Sequence, residues 1–316
     1  MSYKPLVTNT NPQTEFPGQP QQPPSIPPSS LNSTFNTNQP VTQMNPVLQF
    51  FQGFKYGYVD DPLVELGQAS EALIHQKPQF EEQFLWCQFP NRYYVFINST
   101  QYGKKMLFKC KEQSECCQRN CCCASVREFS MAIKHVKPHY ETDDNFDNTD
   151  ISAYKPCKCT CFCLERPIMN VFTNRNTLVG IVKQPFSCCD PIFTINDPSG
   201  VIKYYIWADC CQCGYCCGNN ICGKLSEVWF NIYNDPGRTE KVGNIIKKVA
   251  KFSEMITNAD SYLITFPGDA TPADKLVLIS AALMIDYQYF ENSPEGPNQS
   301  HGTYRQAIWK INVNIY

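Results

Sequence analysis

Cysteine is the residue type whose number and spacing could do chemistry in this chain. There are 19, all between Cys87 and Cys222. Most are clustered: Cys116 with Cys117, Cys121 to Cys123, the alternating Cys157, Cys159, Cys161 and Cys163, the pair Cys188 and Cys189, and Cys210, Cys211, Cys213, Cys216 and Cys217. The opening MSYKPLVTNT contains no apolar signal segment, so the chain is expected in the reducing cytosol with its thiols free. Clustered free thiols bind metal, carry fatty acids or fill a core. An alternating row on an exposed loop presents accessible nucleophilic sulfurs, as S-acylation requires. Two or more acyl chains give stable attachment where one gives marginal binding. Four thiolates could instead close a tetrahedral zinc site, but alternation spreads Cys157 to Cys163 along an extended segment. Cys210, Cys213, Cys216 and Cys217 are the alternative zinc set, since Cys210-x-x-Cys213 and Cys213-x-x-Cys216 have ligand spacing. Against both stands the use of reduced cysteine as a small core residue.

Other chemistry finds little support. The histidines His75, His135, His139 and His301 form no arrangement with a cysteine that spacing supports, so no enzyme is expected. Gly218 to Lys224 (GNNICGK) resembles a phosphate-binding loop but is followed by Leu225, where Ser or Thr would hold magnesium, and ATP binding is rejected. Net charge is −2 and charged residues make up 18%, which argues against a nucleic-acid partner. Arg238, Lys241, Lys247, Lys248 and Lys251 make a modest basic patch, a solvated face or a contact for anionic lipid.

The elements that must position the thiols read mainly as β structure. Residues 1–55, rich in Pro, Gln and Asn with ten prolines in the first fifty residues, are expected to form a disordered arm. Its PxxP steps could dock on SH3 or WW domains. Residues 63–76 read as a short amphipathic helix. Strands are predicted at 93–97, 106–111, 128–136, 168–171, 178–182, 192–195, 201–207, 228–233 and 261–266, with turns at 196–200, 234–237 and 266–269. Thr271 is a helix N-cap with Asp274 in the first turn. Residues 276–290 follow, apolar on most of their circumference, and reach only about 22 Å. That is short of a hydrocarbon core of about 30 Å but suits a barrel interior. Attachment to a membrane would then come from lipid, from an interfacial face or from a short unusual segment. Residues 303–316 alternate as an additional strand would.

The series Ala72-Leu-Ile-His-Gln76, Cys116-Cys-Gln-Arg-Asn-Cys-Cys122, Cys157-Lys-Cys-Thr-Cys-Phe-Cys-Leu164, Tyr215-Cys-Cys-Gly218 and Asn258-Ala-Asp-Ser-Tyr-Leu-Ile-Thr-Phe-Pro267, leading to the helix with Ile285-Asp286, resembles the phospholipid scramblases over about residues 63–291. The resemblance implies a tubby-like antiparallel β barrel of about twelve strands enclosing the C-terminal hydrophobic helix, in a domain spanning 56–291 with a tail at 292–316. It implies a protein held by covalent palmitate at the cytosolic face of the plasma membrane or an endomembrane, with membrane phospholipids as partners. It further implies calcium-dependent, ATP-independent movement of phospholipids between leaflets. The family's acylation cluster is denser; here Lys158, Thr160 and Phe162 interrupt it. The implied calcium positions are Asn258, Asp260, Tyr262, Ile264, Phe266 and Asp269. Calcium takes six to eight oxygens, and only Asn258, Asp260 and Asp269 offer strong side-chain donors, so binding would be weak. Asp286 is expected at the barrel rim, solvated or bonded to a neighbour, with a functional role as the rival. A second reading keeps the same barrel as a lipid-tethered adaptor without flux, its arm recruiting partners. The oligomeric state stays open.

Overall fold

The computed structural model describes residues 61–77, 89–99, 103–116, 119, 127–137, 145–146, 149, 151–158, 165–173, 176–216, 226–248 and 260–291. The arm 1–55 and the tail 292–316 lie outside them. Twelve strands run in chain order: β1 (Glu71–Gln76), β2 (Arg92–Ser99), β3 (Gly103–Gln113), β4 (Phe129–His135), β5 (Ile151–Lys155), β6 (Ile168–Thr173), β7 (Thr177–Lys183), β8 (Ile192–Asn196), β9 (Ile202–Trp207), β10 (Val228–Tyr233), β11 (Lys241–Lys247) and β12 (Ser261–Thr265). Helix α1 (Pro62–Gln68) precedes β1, the short α2 (Cys213–Cys216) lies between β9 and β10, and α3 (Pro272–Tyr289) follows β12. Each strand pairs antiparallel with its neighbours in sequence, and β1 pairs with β12 to close the barrel. Closure removes every sheet edge.

Period-2 patterning decides which side chains point inward. In β6 burial alternates strictly, with Met169 and Val171 inside; in β1 the inward residues are Ala72 and Ile74. Ile74 joins the seam, opposite Val95 of β2 on one side and Tyr262 of β12 on the other. The barrel interior is filled by α3, whose residues from Ala273 to Tyr287 are all buried. A helix apolar all round has no face to give to water, so it belongs in a core. Its start is specified locally. Thr271 caps the Asp274 N–H, Asp274 bonds back to the Thr271 N–H, and Pro272 stands in the first turn. Gly180 of β7 makes room for it, since a Cβ there would lie 2.7 Å from Val277 Cγ2.

Helix α1 lies against the entry of α3. The Lys275 ammonium donates to the carbonyls of Gly67 (2.7 Å) and Ala69 (2.8 Å), which serve as acceptors for a cation that is only 6% exposed. The helix predicted over 63–76 is corrected here: it ends at Gln68, Ala69 is extended, and the second half is β1. Propensity gives way because β2 and β12 offer that half a hydrogen-bonded partner on each side. The strands β5 and β11 were not predicted. ISAYK is short, and KVGNIIK begins in a stretch that reads as a basic face.

Candidate functional site

The barrel has two unlike mouths. At one lie the short connections 197–201 between β8 and β9 and 234–240 between β10 and β11, with the longer 136–150 between β4 and β5. At the other end α3 terminates, and the connections joining β1 to β2, β3 to β4, β5 to β6, β7 to β8 and β9 to β10 leave and return. Of the 19 cysteines, 18 fall in these five connections; the remaining one, Cys110, is buried in β3. Burial pushes the Cys110 thiol far up. Antiparallel alternation alone therefore anchors connections more than a hundred residues apart at one end of the barrel. Among the described residues, Cys116, Cys157, Cys188, Cys189 and Cys211 are exposed there. Phe186, 53% exposed, and Trp229, 40% exposed, lie at the same end.

Behind this mouth is a buried polar network around the last turns of α3. The carboxylate of Asp286, 1% exposed, accepts hydrogen bonds from the hydroxyls of Tyr93 and Tyr262, each at 2.6 Å. Asp286 is thus bonded, as expected, but sealed rather than solvated. Burial, reinforced by the negative Asp260 nearby, raises its carboxyl to about 6 against the pull of the two tyrosines and Lys247. One residue on, the Tyr287 hydroxyl donates to Glu112 (2.8 Å) and accepts from the Asn91 amide (3.2 Å). Glu112 also accepts from the Asn91 N–H (2.9 Å), Ser114 (2.6 Å) and Arg127 (2.9 Å). Arg127 bridges onward to Glu291 at 2.7 Å. One guanidinium between two acids cannot fully neutralise both. Burial, with Glu112 close by, pushes Glu291 up to about 8 despite that pair. Lys155 donates to the Arg127 carbonyl (2.8 Å), and burial lowers it to about 8. Asn91 accepts from Gln76 (3.0 Å), and Gln76 accepts from the Asp260 N–H (3.1 Å). The network therefore connects the end of α3 to the start of β12.

Sequence reasoning did not single out Glu112, Arg127 or Lys155. A signal existed: Glu112 shares inward parity with Phe108 and Cys110 in β3, and Lys155 shares it with Ile151 and Ala153 in β5. A charged residue at an inward position of a closed barrel needs a buried partner.

The six implied calcium positions are not gathered around one point. Asp260 precedes β12 and pairs with Lys247 at 2.7 Å. Tyr262 reaches inward to Asp286, and Ile264 and Phe266 are buried in the core. Asp269 lies beyond the far end of β12, accepting from the Tyr204 hydroxyl at 3.1 Å. The intervening strand spans about 16 Å at 3.2–3.4 Å per residue, and its backbone is committed to ladders with β1 and β11. Asn258 lies outside the described residues. Of the alternating thiols, Cys157 is exposed at the end of the segment leaving β5, and Cys159, Cys161 and Cys163 lie outside the described residues. In the alternative zinc set, Cys213 and Cys216 bound α2 and Cys217 lies outside. The residues drawn together instead are Asp209, Cys210 and Cys211. The basic patch is largely engaged: Lys247 with Asp260, Lys248 with Glu227 at 3.1 Å, Arg238 over the Trp207 ring and Lys241 over the Trp229 ring.

Among the described residues, no helix is long and apolar enough to cross a membrane. Residues 57–292 match the model of the Scramblase family. The chain is 26% identical over 241 residues to human phospholipid scramblase 1, covering 72% of this chain and 65% of that protein. It is 27% identical over 240 residues to bovine phospholipid scramblase 2, covering 72% and 70%. It is 24% identical over 300 residues to human phospholipid scramblase family member 5, covering 89% and 94%. The match to the first of these thus takes in slightly less than two thirds of its length. With the family model covering most of the chain, and the closed barrel and its enclosed helix in place, the chain belongs to the scramblase family.

Proposed function

We propose that this chain promotes ATP-independent, bidirectional movement of phospholipids between membrane leaflets, without covalent chemistry on the lipid. It does so while held by S-acyl chains at the cytosolic face of the plasma membrane or an endomembrane. The observation that carries the reading is the convergence of the thiol-bearing connections on one mouth. Acyl chains on two or more of those connections would anchor the barrel end-on, and binding would be stable where a single chain's is marginal. The exposed Phe186 and Trp229 suit the headgroup level of such an arrangement. Because α3 is sealed, lipids would pass along the outside of this mouth, where the bilayer is disturbed. A calcium effect would enter through Asp260, whose carboxylate must leave Lys247 before it can take a cation.

The sealed helix also favours a second reading, a tethered adaptor whose barrel is a scaffold and whose arm recruits SH3- or WW-type partners. The two separate in phosphatidylcholine liposomes carrying a fluorescent phospholipid and the acylated full-length protein. Reductant quenching of the outer leaflet reports exchange, with and without millimolar calcium. Exchange that depends on calcium and is lost in Asp260→Ala supports transport with the switch at that residue. Exchange indifferent to calcium keeps transport and discards the switch. No exchange from folded, membrane-bound protein selects the adaptor. Release by hydroxylamine, which cleaves thioesters, tests the anchor.

A further inference from the structure

The turn between β9 and α2 presents two adjacent thiols and a carboxylate whose mutual spacing neither the lipid-transfer reading nor the adaptor reading requires. Cys210 Sγ and Cys211 Sγ are 3.9 Å apart. Two sulfurs on a tetrahedral zinc, each about 2.3 Å from the ion, are separated by about 3.8 Å. A ligand atom of Asp209 lies with both sulfurs inside a 4.8 Å span. The pair therefore already has the separation of one edge of a metal tetrahedron, and the carboxylate stands beside that edge.

The turn is also held in shape by hydrogen bonds around the candidate ligands. The Asp209 carboxylate accepts from the Cys211 N–H at 2.8 Å. Asp190, from the connection between β7 and β8, accepts from the Cys210 N–H at 3.1 Å and from the Trp207 indole N–H at 2.9 Å. The Gln212 side chain clamps the turn to β10. Its amide donates to the carbonyls of Asp209 (3.1 Å) and Trp229 (2.9 Å), and its oxygen accepts from the Trp229 N–H at 2.7 Å. Six hydrogen bonds made by three side chains, Asp209, Asp190 and Gln212, thus hold the turn that carries the ligands.

We propose that Asp209, Cys210 and Cys211 form a site for a thiophilic divalent cation of the zinc class, with Asp190 and Gln212 as positioning residues. Two thiolates and one carboxylate supply three ligands. Asp209 and Cys211 are exposed, so the fourth position faces solvent. Each thiol releases its proton to solvent as the metal binds, so affinity rises with pH. The reading is independent of lipid transfer. It also takes Cys210 and Cys211 out of the set of thiols open to acylation whenever the metal is bound.

The test is zinc-dependent protection from alkylation in the reduced full-length protein, mapped by peptide mass spectrometry. With zinc alone as the probe, Cys210 and Cys211 become protected together, while Cys157 reacts as before. Cys210→Ser abolishes protection of Cys211, and Cys211→Ser abolishes protection of Cys210. Cys157→Ser changes neither. Asp190→Ala, which touches no metal, weakens zinc binding by about 10- to 100-fold. Cadmium in place of zinc gives a sulfur-to-metal charge-transfer band that falls in both serine variants. Unchanged alkylation at the pair, protection confined to other cysteines, or a thioester or disulfide on Cys210 and Cys211 in protein that takes up no zinc would each overturn the proposal. Circular dichroism of the serine variants verifies that the barrel is intact, as expected for substitutions on this turn.

Discussion

Asp286 sets a pH dependence that one substitution should remove. Its carboxyl is sealed between Tyr93 and Tyr262 and rises from an ordinary 3.8 to about 6, chiefly through burial. In the unfolded chain the carboxyl ionises near its ordinary value. Between the two values the folded state binds the proton and the unfolded state does not. Stability from this group is therefore fully present below about 3.8, falls as pH rises, and is lost above about 6. The rise corresponds to about 3 kcal/mol, at about 1.36 kcal/mol per pH unit. Asp286→Asn keeps the size and one acceptor oxygen but cannot ionise. At low pH, where the acid is itself neutral, the two proteins should differ by about 1 kcal/mol, the worth of one ordinary hydrogen bond. By neutral pH the difference should have moved about 3 kcal/mol in favour of Asn. The assay is urea unfolding of both proteins at intervals between about pH 4 and pH 7. Carboxyls remote from Asp286 titrate alike in both and cancel in the comparison, whereas Glu291, which the Asp286 charge helps to raise, should be raised less in the variant and shift the difference further in favour of Asn. Parallel stability curves across that range would refute the reasoning, because they would mean that Asp286 is not taken from water as the geometry requires.

Three further outcomes follow from named contacts. Gly180→Ala should cost about 1–3 kcal/mol in thermal or urea melts, because its Cβ would meet Val277 Cγ2 at 2.7 Å and the Asn196 carbonyl oxygen at 2.9 Å; Val277→Ala should recover part of the loss. Arg127→Met should cost about 3–5 kcal/mol by leaving Glu112 charged in the core, and adding Glu112→Gln should restore most of it in the same melts. Alkylation of the native protein at neutral pH should modify Cys157 and Cys188 readily and leave Cys110 untouched until the barrel unfolds; modification of Cys110 at the same rate would disprove its burial.

Much of the fold was legible because its signals are local. Period-2 alternation marks most strands, and Thr271, Pro272 and Asp274 mark the start of α3 to the residue. The inference that 276–290 is enclosed needed only its apolar circumference and its length, too short for a bilayer. The second half of 63–76 was misread because Leu, Ala and Ile serve a helix and an inward-facing strand alike, and only the partners β2 and β12 choose between them. The series of motifs identified the family, but spacing along the chain could not say which candidate ligands meet. Asp260 and Asp269 are close in sequence and stand at opposite ends of β12.

By itself, then, the sequence determined the β class, the enclosed helix and the family, since alternation, capping and apolarity act over a few residues. Only the tertiary structure decided three things. It brought the thiol-bearing connections to one mouth, sealed Asp286 between two tyrosines from strands far apart in sequence, and set Asp190 against the Cys210 turn. The physical reason is common to all three. Strand parity and barrel closure act across the whole chain, so the neighbours of a site residue are set by which strand ends meet rather than by how many residues separate them.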